Sequence, residues 1–145
     1  MPMTVEDRLK SLGHELPVIT KPRGNFRPYV ISGNILYLSG KGAPMRKEGG
    51  DIPKVGEEVS VEQASAYAQE IGLYLLALIK EALGSFDRVQ RIVKVFGMVN
   101  ATPNFTAHTE VINGCSDLLV DVLGERGEHA RSAIGVGSLP MGFAV

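Results

Sequence analysis

Ser60-Val61-Glu62-Gln63 opens the longest regular stretch of the chain, and that stretch limits what the remainder can become. A hydroxyl residue three positions ahead of a Gln is a capping box. Each side chain can satisfy a backbone N–H that the first helical turn leaves without a partner. Gly84 supplies the stop, because glycine takes the left-handed conformation in which helices commonly end. Between them Val61, Ala64, Ala68, Ile71, Leu75, Leu78 and Ala82 recur at helical spacing and predict one buried stripe, with Glu62, Gln69, Glu70 and Lys80 mostly away from it. Tyr67 and Tyr74 lie one period apart on this helix and are read as packing. A helix this long with a single apolar stripe has to lie on a sheet or on another helix.

Both supports are legible. Residues 105–123 repeat the pattern with Val111, Cys115, Leu118, Leu119 and Val122 as the stripe and Gly124 as the stop. Tyr29-Val30-Ile31 and Ile35-Leu36-Tyr37-Leu38 flank Ser32-Gly33-Asn34, two β-rich runs around a turn, which predicts a hairpin. Residues 89–99 read as a strand that is apolar on both faces in its second half. Thr4 is a candidate N-cap for a short helix reaching Leu12, with Glu6 and Asp7 in its first turn. Pro17, Pro22 and Pro28 then make an extended lead-in up to residue 28. Residues 40–56 are rich in glycine, proline and charge, a long loop of the kind that is functional or mobile. Lys41-Gly42-Ala43-Pro44 lacks the Gly-Lys-Ser/Thr ending of a phosphate loop.

A last strand is expected at Arg131-Ser132-Ala133-Ile134-Gly135-Val136-Gly137-Ser138-Leu139-Pro140, followed by a turn at 140–142 and a strand fragment at 143–145, cut short where the sequence stops. Alternation puts Arg131, Ala133, Gly135 and Gly137 on one face. A guanidinium above residues with almost no side chain can clamp a carboxylate through two parallel hydrogen bonds. The same pattern also describes an edge-strand Arg paired with a surface acid. The order ββαβαβ predicts an α+β single domain over 1–145, with both helices on one face of a mixed sheet. On that arrangement the face of Arg131, Ala133 and Gly135 has no helix, and partner subunits would close it in a ring or dimer.

The bulk composition narrows function mostly by exclusion. Hydrophobic residues at 44% and charged residues at 21% suit a soluble globular protein, and a net charge of −1 gives no global field for collecting phosphates. Nucleic acid is therefore an unfavoured partner. The single Cys115 has no internal disulfide partner, which suits a reducing compartment, and is expected to be a buried helix residue. No signal peptide is apparent, and the longest apolar run, 73–79, is too short for a bilayer, so a cytoplasmic location is expected. His14, His108 and His129 show no metal-ligand spacing. His129 stands two residues before Arg131 and shares its face if the strand begins that early. There is no Gly-x-Ser-x-Gly elbow, dinucleotide fingerprint or nucleotide-binding lysine loop.

Ala130 through Gly142, taken with Leu38-Ser39-Gly40, the stretch Arg91-Ile92-Val93-Lys94-Val95-Phe96-Gly97-Met98-Val99, Asn104-Phe105 and Val111-Ile112-Asn113, resembles the RidA (YjgF) family of reactive-intermediate deaminases, also labelled endoribonuclease L-PSP-like. The likeness implies a chorismate-mutase-like α+β fold and a homotrimer with a cleft at each subunit interface. It implies hydrolysis of enamine or imine acids, such as 2-aminoacrylate, to 2-keto acids and ammonia, without a cofactor. Arg131 would hold the carboxylate, and backbone groups at Gly40 and Ala133 the imine nitrogen and the attacking water. Asn113 matches a pocket Asn, Ser39 would line the cleft, and Phe26 stands where the family commonly has Tyr, as in a divergent subgroup. The family's acidic residue after the Leu-Pro turn would fall just beyond Val145. That departure and Phe26 keep open a binding or regulatory protein with the same pocket and no turnover; ribonuclease activity is a distant third reading.

Overall fold

Capping chemistry sets the first two helices. In the computed structural model, which describes residues 2–43 and 52–145, α1 (Val5–Ser11) is preceded by Thr4. Its hydroxyl accepts from the Asp7 N–H at 3.0 Å while the Asp7 carboxylate accepts from the Thr4 N–H at 3.1 Å. Two strands follow, β1 (Tyr29–Ser32) and β2 (Ile35–Leu38), antiparallel in the register Tyr29↔Leu38 to Ser32↔Ile35, with Gly33 at φ 60° turning the chain. Next, α2 (Val61–Leu83) starts on the reciprocal Ser60–Gln63 pair and ends at Gly84 with φ 77°. The expected helix, with both its signals, is there.

Its buried side differs from the expected stripe. Of the expected stripe Ala64, Ala68 and Leu78 are buried, Gly72, Leu76 and Ile79 are buried as well, and Val61, Ile71, Leu75 and Ala82 are only half-buried. The rotation has a physical cause in α3 (His108–Leu123), which lies unusually close. A Cβ on Gly114 of α3 would run into the Ser65 backbone oxygen, and one on Gly72 would meet Leu118 Cδ2 at 2.9 Å and Cys115 Sγ at 3.3 Å. Two glycines form the seam, and hydrophobic periodicity cannot count residues that have no side chain. Val111, Cys115, Leu118, Leu119 and Val122 of α3 are buried as expected. The helix starts at His108 rather than at residue 105, because residues 102–105 are taken up by a turn closed by the Phe105 N–H to Thr102 O bond at 3.1 Å.

The remaining strands are β3 (Lys94–Asn100) and β4 (Ala130–Val136), parallel, from Lys94↔Ala130 to Asn100↔Val136. Parallel neighbours need a crossover, and α3 is that crossover. The expected strand over 89–99 begins five residues too early and ends one residue short of Asn100. Arg126 draws the segment before it into a turn, donating to Phe86 O and Val89 O at 2.9 Å each, and ladder pairing begins only at Lys94. One mixed sheet was expected; the described residues form two separate two-stranded sheets, one antiparallel and one parallel. The C-terminal residues are not a regular strand, yet they close the layer. Asn100 N–H donates to Ala144 O at 2.8 Å, and the Ala144 and Val145 N–H groups donate to Ala43 O. Residues 44–51, the middle of the expected 40–56 loop, lie outside the described residues.

One expectation is reversed. The face carrying Arg131, Ala133 and Gly135 is the one α3 covers. A Cβ on Gly135 would meet His108 Nε2 at 2.6 Å, a Cβ on Gly97 would meet Ile112 Cδ1 at 2.5 Å, and Arg131 bonds directly to α3. Alternation grouped these residues correctly, but their small size serves helix approach. The uncovered face instead carries Phe96, 56% exposed, and Ile134, 41% exposed, beside the Lys94–Ser132 hydrogen bond.

Candidate functional site

Parallel pairing places Arg131 opposite Val95 near the start of β4, and α3 crosses above it. Asn113 and Ser116 are three residues apart on α3, hence on one helix face. Both are aimed at the guanidinium: Arg131 Nη1 donates to Asn113 Oδ1 at 2.8 Å and to Ser116 Oγ at 3.2 Å. Among the described residues no carboxylate lies within ion-pair distance of Arg131, the one such pair being Lys80 with Glu6 at 2.6 Å. The reading of Arg131 as half of a surface salt bridge therefore fails. A half-buried cation held by two neutral side chains keeps its charge for an incoming anion.

His129 joins the same group. Its Nδ1 stands 2.6 Å from Gly127 O and its Nε2 2.9 Å from Ser116 Oγ. Gly127 belongs to the short 3-10 turn Gly124–Gly127 that ties α3 to β4. Ser116 had no sequence signal as a site residue; only its spacing from Asn113 on a helix could have drawn attention to it.

The other sequence candidates are distributed differently. Ala133 is half-buried on the same side of β4 and packs against the core. Ser39 extends the hairpin, its N–H donating to Pro28 O at 2.9 Å and its hydroxyl to Arg27 O at 2.6 Å. Gly40 faces open space and Phe26 is 55% exposed. Within one protomer no hydrogen bond among the described residues links Phe26, Ser39 or Gly40 to Arg131. Of the two tyrosines read as packing, Tyr67 packs against the core, while the Tyr74 hydroxyl accepts from the Thr20 N–H at 3.1 Å and Lys41 Nζ sits 4.2 Å above its ring.

A separate open cavity of about 710 Å3 lies at the other end of the α3–β4 contact, lined by Lys54, Glu57, Thr102, Phe105, His108 and Gly135 among others. Lys54 Nζ donates there to Asn100 Oδ1 at 2.6 Å and to Gly137 O at 2.5 Å, so this amine braces the fully buried Asn100. The lining of this cavity does not include Arg131, Asn113 or Ser116, and the uncompensated guanidinium is the more specific of the two signals.

Cys115 neighbours the group on α3. Burial pushes its thiol up to about 11, against the opposing field of Arg131. The thiolate is the reactive form, so alkylation by iodoacetamide at pH 8 is expected to be negligible in the folded protein and rapid after denaturation. Rapid labelling of the native protein would contradict this placement. Among the described residues no group of His, Cys, Asp and Glu could hold a metal ion, and no helix is long and apolar enough to cross a membrane.

Comparison with known proteins bears on the family and the fold. Protein TCP17 of Trypanosoma cruzi is 41% identical over 143 residues, 97% of this chain and 89% of that protein. The crystal structure of protein Atu1372 of Agrobacterium tumefaciens, of unknown function, superposes with a TM-score of 0.84 at 39% identity, covering 97% of this chain and 86% of that one. A structure from Shewanella oneidensis described as "a putative endoribonuclease" gives 0.88 at 29% identity, covering 98% and 94%. Residues 6–143 match the family described as "YjgF/chorismate_mutase-like, putative endoribonuclease". The chain thus belongs to the YjgF/chorismate mutase-like, or RidA, family, and its α+β fold is that family's fold.

Proposed function

We propose that the protein hydrolyses 2-imino and 2-enamino acids to 2-keto acids and ammonia, in clefts between the subunits of a homotrimer. The observation that carries this reading is the half-buried Arg131 guanidinium with two neutral partners and no carboxylate among the described residues. It suits a small carboxylate. Exposed Phe96 and Ile134 on the uncovered strand face supply apolar surface for a neighbouring subunit. In such an assembly Phe26, Ser39 and Gly40 of the hairpin region would complete a cleft with Arg131, Asn113 and Ala133.

The chemistry asks little of the protein. The enamine takes a proton at carbon to become an imine, whose carbon is already electrophilic. Water adds there, and the carbinolamine expels ammonia to leave the keto acid. Fixing the carboxylate with Arg131 orients that carbon towards a water held by backbone groups at Gly40 and Ala133.

Ammonia release from freshly generated 2-aminoacrylate is expected to exceed the uncatalysed rate in proportion to protein concentration. No acceleration at any concentration, with Arg131-dependent binding of 2-ketobutyrate intact, would instead establish the binding or regulatory reading. Phe26 favours that reading, because it lacks the hydroxyl that a Tyr would offer. RNA cleavage that survives purification and disappears in Arg131→Ala would turn the assignment to a ribonuclease; a net charge of −1 opposes it.

A further inference from the structure

We infer that Ser116 and His129 are positioning residues that fix which edge of the Arg131 guanidinium meets a carboxylate. The inference rests on the carboxylate-binding reading above and adds a geometry to it. Gly127 O can only accept, so the hydrogen between it and His129 resides on Nδ1. In the neutral ring Nε2 is then an acceptor, and the Ser116 hydroxyl donates to it at 2.9 Å. With its hydrogen committed, Ser116 Oγ offers lone pairs, and Arg131 Nη1 donates to it at 3.2 Å. Every bond in the chain runs one way, from guanidinium through hydroxyl and imidazole to the backbone of the buried Gly127.

The consequence follows from counting hydrogens. Nη1 carries two, and Asn113 Oδ1 and Ser116 Oγ accept both. A carboxylate can dock on an arginine end-on, across Nη1 and Nη2, or side-on, across Nη2 and Nε. The end-on mode has lost half its donors. Among the described residues neither Nε nor Nη2 has a hydrogen-bond partner, so the side-on edge is what remains for the ligand. His129 touches no substrate in this scheme; it acts by holding the Ser116 hydrogen away from Arg131, so that the serine accepts.

Nitrogen NMR of the full-length protein at pH 8 tests this without relying on turnover. His129 is expected to show a protonated Nδ1 and a bare Nε2, and Arg131 slow rotation about the Cζ–Nη1 bond. Ser116→Ala should accelerate that rotation about tenfold, the worth of one hydrogen bond to a charged group. Ser116→Thr, which keeps the hydroxyl, should restore it, and His129→Phe should have a smaller effect in the direction of Ser116→Ala. Titration with 2-ketobutyrate should move the Nε signal, and Ser116→Ala should weaken binding roughly fivefold to tenfold with unchanged circular dichroism. The opposite His129 tautomer, or wild-type rotation in Ser116→Ala, overturns the inference. A wild type that fails to bind 2-ketobutyrate would instead sink the carboxylate reading, and the rotation and tautomer would still decide the positioning roles.

Discussion

Arg131→Ala is expected to weaken 2-ketobutyrate binding by roughly 100-fold, through loss of two parallel charge-assisted hydrogen bonds. The substitution removes a side chain that donates to Asn113 and Ser116 but has no carboxylate partner among the described residues. The folded protein therefore loses hydrogen bonds to half-buried neutral groups and strands no buried charge. Circular dichroism should stay native while calorimetric affinity collapses. Arg131→Lys is expected to recover little, because an ammonium is a point donor on a flexible stem and cannot present a planar fork. Ammonia release from 2-aminoacrylate should fall in parallel with affinity in both variants. Less than a threefold loss of binding in Arg131→Ala would end the clamp assignment.

The second large effect is on stability. Gly114→Ala places a methyl group against the Ser65 backbone oxygen of α2. A backbone carbonyl inside a helix cannot rotate aside as a side chain can, so α2 and α3 must move apart and loosen the buried Ala64, Ala68, Val111 and Cys115 around the contact. Overpacking of this kind costs about 1–3 kcal/mol and occasionally more. Alanine is the better helix former by ~1 kcal/mol, which opposes the loss. The net destabilisation expected from urea unfolding is about 2 kcal/mol, because the obstruction is backbone and lies at the high end of that range. Gly72→Ala meets the movable ends of Leu118 and Cys115 and should cost less. A Gly114→Ala protein as stable as the wild type would mean that the helices are not held this close.

Local chemistry made much of this legible in the sequence. Ser60, Gln63 and Gly84 announce α2 because caps depend on side chains a few residues apart. The Gly33 turn fixes the hairpin for the same reason. Arg131 and Asn113 were read as site residues, and they are bonded to each other. What escaped depends on distant parts of the chain. Alternation sorts Arg131, Ala133 and Gly135 onto one face but is silent about which face a helix covers, since glycine and alanine suit either. The start of β3 is decided by Arg126, more than thirty residues away, with separations of 40 and 37. Ser116 and His129 gain meaning only once α3 has been laid over β4. Within one protomer Phe26, Ser39 and Gly40 have no hydrogen bond to Arg131, whose side-chain partners among the described residues are Asn113 and Ser116.

The hydrogen-bonded group around Arg131 also bears on how the domain is assembled in time. Its members fall within one continuous arch of chain: Asn113 and Arg131 are 18 residues apart, Ser116 and His129 only 13. Lys54, by contrast, reaches across 46 and 83 residues to Asn100 and Gly137. Contacts of small sequence separation close small loops and can form before distant segments meet. The arginine can therefore take its posture as α3 folds back on β4, ahead of the longer closures that complete the far end of the layer. A clamp built within one arch can also be retuned by substitutions inside that arch, leaving the caps of α2, the hairpin and the Lys54 brace untouched.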